Sequence, residues 1–411
     1  MKVNPMLLHN PRAVRTAYPD DLHEILNHTQ AKISRDCLQQ WRGIAPQPTP
    51  IYDLPDAAKR IGVGMISVKD ESQRSSLGSF KALGAPIALV RFLMREHPEW
   101  EMAAVFTGRY RDALREQTVI SATDGNHGRA LAAAAQDCGC RCVIVLHAHV
   151  SEEREAAISA YGAEIVRITG NYDESVVEAA RLAQANGWQV ISDTSYDGYE
   201  DVPRDVMQGY ATIAAEAIEA SEGTGQAAFT HVLLQGGVGG LAAGAAAYWW
   251  EHAGAARPTF IVVEPEQADC LWQSAVHGQA SVAQGSVDSI MAGLACGATS
   301  PLAWRFLDSS VDAFMTVSDD EAIAAMRQLA AGSERDMPVL AGESGVAGLA
   351  ALNQLAANKQ QMAALGLDEH ARVLFISSEG ATAPSVYAEA VGETAAAVLA
   401  RQQQWLAGQT A

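Results

Sequence analysis

The 411-residue chain is short of cationic side chains: 29 lysines and arginines stand against 48 aspartates and glutamates, for a formal net charge of −19. So acidic a balance argues against nucleic acid and anionic membrane surfaces as partners, since both need clustered Lys and Arg. Long apolar runs are missing as well. No stretch approaches the roughly 20 residues that span a bilayer, and the first residues carry no basic-then-apolar signal. Neither repeats of solenoid period nor a low-complexity linker divides the chain. Cysteine is scarce. Six in so long a chain (Cys37, Cys138, Cys140, Cys142, Cys270 and Cys296) do not make a disulfide framework, and a reducing cytoplasm is the expected compartment. Cys138, Cys140 and Cys142 would share one face if the strand that follows starts early enough. They lack the C-x-x-C spacing of a metal site and read as buried thiols, so no metal is expected.

What is present is an alternation. Apolar, β-branched runs at 119–120, 142–146, 164–168, 190–191, 232–234, 260–263 and 373–376 predict strands. Alanine-rich segments at 152–161, 174–186, 210–220 and 241–252 predict helices between them. Strands that alternate with helices imply an α/β chain with parallel sheets covered on both faces. The length allows two or three domains. A tail helix over 383–405 is expected on the outside or on a partner subunit, and Trp249-Trp250 reads as core or subunit contact.

Four segments carry chemistry. Ser121-Ala122-Thr123-Asp124-Gly125-Asn126-His127-Gly128 follows the strand at 119–120 and opens a helix, which gathers backbone N–H groups and short polar side chains at one point. Asp124 sets a carboxylate among those donors, where an acid or base can work. Upstream, Gly78-Ser79-Phe80-Lys81 places a lone lysine at the start of an apolar helix. Desolvation and the helix dipole are both expected to lower its pKa, as an imine-forming amine requires. Gly236-Gly237-Val238-Gly239-Gly240, after the strand at 232–234, lets the backbone curl around an anion at a helix start, with phosphate as the natural guest. Ser377-Ser378-Glu379-Gly380 ends the strand at 373–376, where a hydroxyl either caps a helix or bonds a neutral ring nitrogen.

Two rival patterns need weighing. Gly237 to Ala242 fits G-x-G-x-x-A, and Glu264 ends the next strand about where a ribose-binding acid would sit, which points to a nucleotide-dependent oxidoreductase. That reading leaves Lys81 and Asp124 unexplained. Gly342-Glu343-Ser344-Gly345-Val346 fails the hydrolase elbow, because Val346 stands where glycine is required.

Together, in this order, the four segments resemble the fold-type II (tryptophan synthase β-like) family of pyridoxal-phosphate enzymes, from about Asp70 to Thr382. Within it, the resemblance is to the diaminopropionate ammonia-lyases. It is carried further by Lys69 to Arg74, Asp193-Thr194-Ser195, Asp197-Gly198-Tyr199, Met207-Gln208-Gly209-Tyr210, Ala268-Asp269-Cys270, Ala292 to Cys296 and Gly342 to Gly345. The resemblance implies a large cofactor-binding domain of residues 1–85 and 200–411, a small domain of 86–199, and an active site in the cleft between them. It implies that Lys81 holds pyridoxal 5′-phosphate, Asn126 bonds its phenolic oxygen, Gly236, Gly237, Val238, Gly239 and Gly240 bind its phosphate, and Ser377 (or else Ser378) faces its ring nitrogen. Ser121, Thr123, Asp124 and Asn126 would receive the substrate carboxylate. Related dehydratases and racemases commonly carry serine before Gly-Asn-His-Gly; the aspartate here agrees with a substrate bearing a second, cationic amine. Lys81, Asp124 and Asp193 are the implied catalytic groups, two carboxylates on two faces serving both enantiomers. A homodimer is expected, and a serine or threonine dehydratase is the neighbouring alternative. Cys270 and Cys296 flank a loop near the site, and a disulfide between them stays open.

Overall fold

The computed structural model describes residues 7–123, 125–225 and 228–409, and within them eleven strands form two sheets. In chain order these are Leu7–His9 (β1), Ile51–Asp53 (β2), Met65–Asp70 (β3), Thr118–Ala122 (β4), Arg141–Leu146 (β5), Glu164–Arg167 (β6), Gln189–Val190 (β7), His231–Gln235 (β8), Thr259–Pro265 (β9), Ala313–Val317 (β10) and Arg372–Ser377 (β11). The larger sheet runs β1-β10-β9-β8-β11-β3-β2, parallel except for its short edges β1 and β2. The smaller, β6-β5-β4-β7, is parallel throughout. Every residue of β4 and of β8 is buried, as strands covered on both faces must be. This is the α/β architecture expected.

Helix Asp201–Thr224 ties the sheets to the lysine segment. A Cβ on Gly209 would stand 1.9 Å from the Leu83 carbonyl oxygen, and one on Gly244 would stand 2.3 Å from that of Met207. Glycine at both points lets this helix, the turn Phe80–Leu83 and helix Gly240–Ala253 approach to backbone contact.

All seven strands expected from the sequence are present; β1, β2, β3 and β10 are additional. β3 is hidden in the sequence by Lys69 and Asp70, both buried. Lys69 Nζ reaches Glu216 at 2.7 Å and Thr49 Oγ1 at 2.6 Å, which is how a charged residue survives inside a sheet. The tail is two helices, Pro384–Val391 and Ala395–Gln409, because Gly392 at φ 89° ends the first. Gly139 at φ 96° likewise ends helix Asn126–Cys138 and β5 begins at Arg141, so Cys138, Cys140 and Cys142 do not share one face. All six cysteines are buried and none is joined in a disulfide. Trp249 and Trp250 lie in the core, with Trp250 Nε1 donating to the Thr16 carbonyl. No helix among the described residues is long and apolar enough to cross a membrane.

Candidate active site

A cleft of about 850 Å³ gathers the ends of β4, β8 and β11 with the lysine turn. The turn Phe80–Leu83 is held to the last strand: Phe80 N donates to the Ser378 carbonyl at 3.0 Å, and Gly380 N to that of Gly78 at 2.9 Å. Lys81 Nζ projects into the cleft, 5.2 Å from the centroid of the Phe80 ring and 5.9 Å from that of Tyr210.

Lys81 does not stand alone. Its Nζ lies 2.5 Å from Asp193 Oδ2, across 112 residues of sequence. Burial pulls the Lys81 ammonium down, but Asp193, and to a lesser degree Tyr210, outweigh it, so the net shift is upward. The expected lowering is therefore corrected: it considered burial and the helix start, and a carboxylate in contact prevails. Burial pushes the other way on Asp193, yet Lys81 and then His127 hold its carboxyl well below the usual range. His127 is buried, its Nε2 lies 2.9 Å from the Ile191 carbonyl oxygen, and its Nδ1 is 3.7 Å from Asp193 Oδ2. Burial lowers the His127 pKa, which favours a neutral ring donating from Nε2.

The loop after β4 is shaped by Thr123, whose Oγ1 accepts from Gly125 N at 3.0 Å and Gly128 N at 3.1 Å. Asn126 reaches the cleft, and its Nδ2 donates to Glu379 Oε2. Ser121 does not reach it; that side chain is buried in β4. Asp124 lies outside the described residues. Of the glycine run, Gly236, Gly237, Val238 and Gly240 line the cleft, whereas Gly239, at φ 100°, turns toward Leu307 and Ala303. Helix Gly240–Ala253 starts there, with first-turn N–H groups that have no intrahelical acceptor. Ser377 is buried outside the cleft with its hydroxyl 3.5 Å from the Glu379 carbonyl oxygen, and the cleft-lining serine is Ser378. Ser377 is the last residue of β11 and Ser378 the first beyond it, and only the latter lines the cleft.

The acid of the nucleotide motif is otherwise engaged. Glu264 accepts from Leu271 N at 2.9 Å and Trp272 N at 2.8 Å, capping helix Cys270–His277. It is buried away from the cleft, so the dinucleotide reading has no ribose acid.

The profile described as "Pyridoxal-phosphate dependent enzyme" matches residues 44–379. The chain belongs to the pyridoxal-phosphate dependent enzyme family. It is 38% identical over 373 residues to diaminopropionate ammonia-lyase of Escherichia coli K12, covering 90% of this chain and 93% of the relative. The Salmonella typhimurium protein of the same name is 38% identical over 353 residues, covering 84% and 87%. Among solved structures, holo diaminopropionate ammonia-lyase of Escherichia coli superposes with a TM-score of 0.85 at 36% identity, covering 94% of this chain and 96% of that one. A further crystal structure of that enzyme holds an aminoacrylate-PLP azomethine reaction intermediate, at a TM-score of 0.83. Threonine deaminase isoform 2 of Solanum lycopersicum, at 21% identity and a TM-score of 0.70, shares the fold.

The cleft fits the cofactor of this pyridoxal-phosphate family. One end offers a glycine cradle at a helix start, where a Cβ on Gly237 would stand 3.3 Å from the Gly293 carbonyl oxygen, another cleft residue. Another offers a lysine amine, with the buried Tyr210 hydroxyl beside it. Sequence reasoning did not single out Tyr210, Ser344, Glu379 or Arg154 as site residues, although all four line the cleft. Arg154 gives no local signal, being one cation among Glu152, Glu153 and Glu155.

Proposed function

We propose that this protein catalyses α,β-elimination of 2,3-diaminopropionate, in both D and L forms, to pyruvate and two ammonia through aminoacrylate. The observation that carries the reading is the Lys81–Asp193 contact facing the glycine cradle, in a chain aligned over nine-tenths of its length with diaminopropionate ammonia-lyases. Lys81 is the residue to hold pyridoxal phosphate, with Asn126 for its phenolic oxygen, residues 236–240 for its phosphate and Ser378 for its ring nitrogen. When bound, pyridoxal phosphate supplies an electron sink that acidifies the α-hydrogen of an attached amino acid.

The chain's own groups do the rest. Asp193, ionised and 2.5 Å from Nζ, holds the Lys81 amine in place in the cleft. Without the Lys81 ammonium against it, Asp193 would lose the partner that depresses its pKa and serve, with Lys81, as the base on one face of the substrate. Asp124, by the resemblance, draws the distal ammonium and serves as a base for the other enantiomer. The β-ammonium leaves as ammonia; aminoacrylate adds water and releases the second ammonia to give pyruvate. Residues 86–199 are read as a small domain against 1–85 and 200–411, the protein as a homodimer, and the cytoplasm as its compartment.

The test follows absorbance and pyruvate together as D- and then L-2,3-diaminopropionate are added to purified protein. A visible band that Lys81→Ala abolishes, with pyruvate from both enantiomers, is the expected result. Pyruvate from serine alone, or 2-oxobutyrate from threonine, would replace the substrate by that of a dehydratase; no band after adding pyridoxal phosphate would remove the reading altogether. Asp124→Asn and Asp193→Asn are each expected to slow one enantiomer by about 10²–10⁴-fold and the other less. Equal slowing of both by each variant would reject the two-base assignment.

A further inference from the structure

The cleft wall behind Asn126 holds two carboxylates that the elimination does not use. Glu379 is buried and fully engaged: Oε1 accepts from Ser344 N at 3.1 Å, and Oε2 from Thr382 Oγ1 at 3.2 Å and from Asn126 Nδ2. Glu343 is fully buried, and neither of its carboxylate oxygens has a hydrogen-bond partner. The loop that carries it is pressed onto Glu379. Gly342 N donates to the Glu379 carbonyl at 2.8 Å, and a Cβ on Gly342 would stand 2.2 Å from the Gly380 carbonyl oxygen. One on Gly345 would stand 2.8 Å from the Glu379 carbonyl oxygen, so only glycine permits this approach.

The titratable groups around Glu343 are Glu379 on the loop after β11, Glu153 and Arg154 on helix Glu152–Ser159, and Tyr387 on helix Pro384–Val391. An ionised Glu343 would thus face two carboxylates and one guanidinium with no donor of its own. The neutral acid is the favoured occupant of such a site. Burial first, and Glu379 second, push the Glu343 carboxyl up to about 7.

We propose that a neutral Glu343 beside Glu379 positions Asn126 for the cofactor. Glu379 accepts one N–H of the Asn126 amide and leaves the other for the phenolic oxygen. The proposal rests on the reading of Asn126 as the donor to that oxygen. Glu343 is a positioning residue here, acting through Glu379. Once Glu343 ionises, its repulsion of Glu379 loosens the Glu379–Asn126 contact, and cofactor affinity falls.

Infrared difference spectra of the cofactor-free protein across pH test the pair directly. The expected result is a buried carboxylic-acid C=O band lost near neutral pH, absent from Glu343→Gln and retained in Glu264→Gln. Its midpoint is expected to move to lower pH in Glu379→Gln, where the negative neighbour is gone. Relative to Glu343→Gln, which keeps the neutral form, wild-type cofactor affinity is expected to fall about tenfold between about pH 6 and about pH 9, the worth of one hydrogen bond. A Glu343→Gln protein with the wild-type band and the wild-type affinity profile overturns the pair. Should that variant fail to fold, an unmoved midpoint in Glu379→Gln overturns it instead. Unchanged cofactor affinity in Asn126→Ala, with the band intact in the wild type, removes the Asn126 reading rather than the neutral Glu343.

Discussion

Among single residues, Asp193 sets the charge of the lysine that the chemistry uses. Its carboxylate raises the Lys81 pKa against the opposing effect of burial. Asp193→Asn removes the raising influence and leaves burial in control, so the Lys81 pKa falls. The pH at which the cofactor-free protein recaptures pyridoxal phosphate should then shift toward acid, while turnover drops about 10²–10⁴-fold. An unmoved recapture pH would mean that Asp193 is not coupled to the amine. The two serines at the end of β11 make a second residue-scale test. Ser378→Ala should alter the visible spectrum of the bound cofactor and weaken its binding about tenfold, with Ser377→Ala leaving the spectrum alone. A reversed outcome would restore Ser377 to the ring.

Elements matter through how closely their backbones meet. Helix Asp201–Thr224 can place the lysine turn only because Gly209 has no side chain, and its Cβ would overlap the Leu83 carbonyl oxygen at 1.9 Å. Gly209→Ala must push the helix and turn apart. About 1–3 kcal/mol of stability should be lost, read by urea unfolding, together with a visible weakening of cofactor binding. The same helix carries Glu216 into a buried cluster with Lys69 and Arg74, at 2.7 and 2.6 Å. Removing one partner strands a buried charge, so Glu216→Ala should cost about 3–5 kcal/mol, far more than the usual surface ion pair. A loss under 1 kcal/mol would show the cluster to be wet and loosely coupled.

For the molecule as a whole, buried acids give stability a pH dependence. Burial raises Glu264 to about 8 and Glu343 to about 7, from an ordinary 4.5. The folded chain keeps these two protons where the unfolded chain has released them. Stability is thus full below the unfolded value and declines as pH rises from 4.5 toward 8, then levels. Asp193 works in the opposite direction, its contribution being lost as pH falls below 3.8. Unfolding of the cofactor-free protein should show a declining limb through neutral pH, and Glu264→Gln should flatten its upper part. A limb unchanged in that variant would place the titration elsewhere.

The alternation of apolar runs with alanine-rich segments was enough to assign an α/β chain with parallel sheets, because a strand buried on both faces must be apolar along its whole length. The glycine run, the Gly78–Lys81 segment and the loop from Ser121 were legible for a similar reason: tight turns and helix starts restrict residue type locally. Strand β3 escaped notice because the charge of Lys69 is met by Glu216, far along the chain, while buried Asp70 is satisfied by Ser72 and Gln73. Asn126 and four of the five residues of the glycine run do line one cleft. Lys81 lies against Asp193 there, whereas Ser121, Gly239 and Ser377 turn away from it. Which serine faces the cleft depends on where β11 ends, and whether Lys81 carries a proton depends on a carboxylate 112 residues away. Glu343 is charged or neutral according to what surrounds it in space. Orientation and ionisation are sums over neighbours, and only the tertiary structure chose the neighbours.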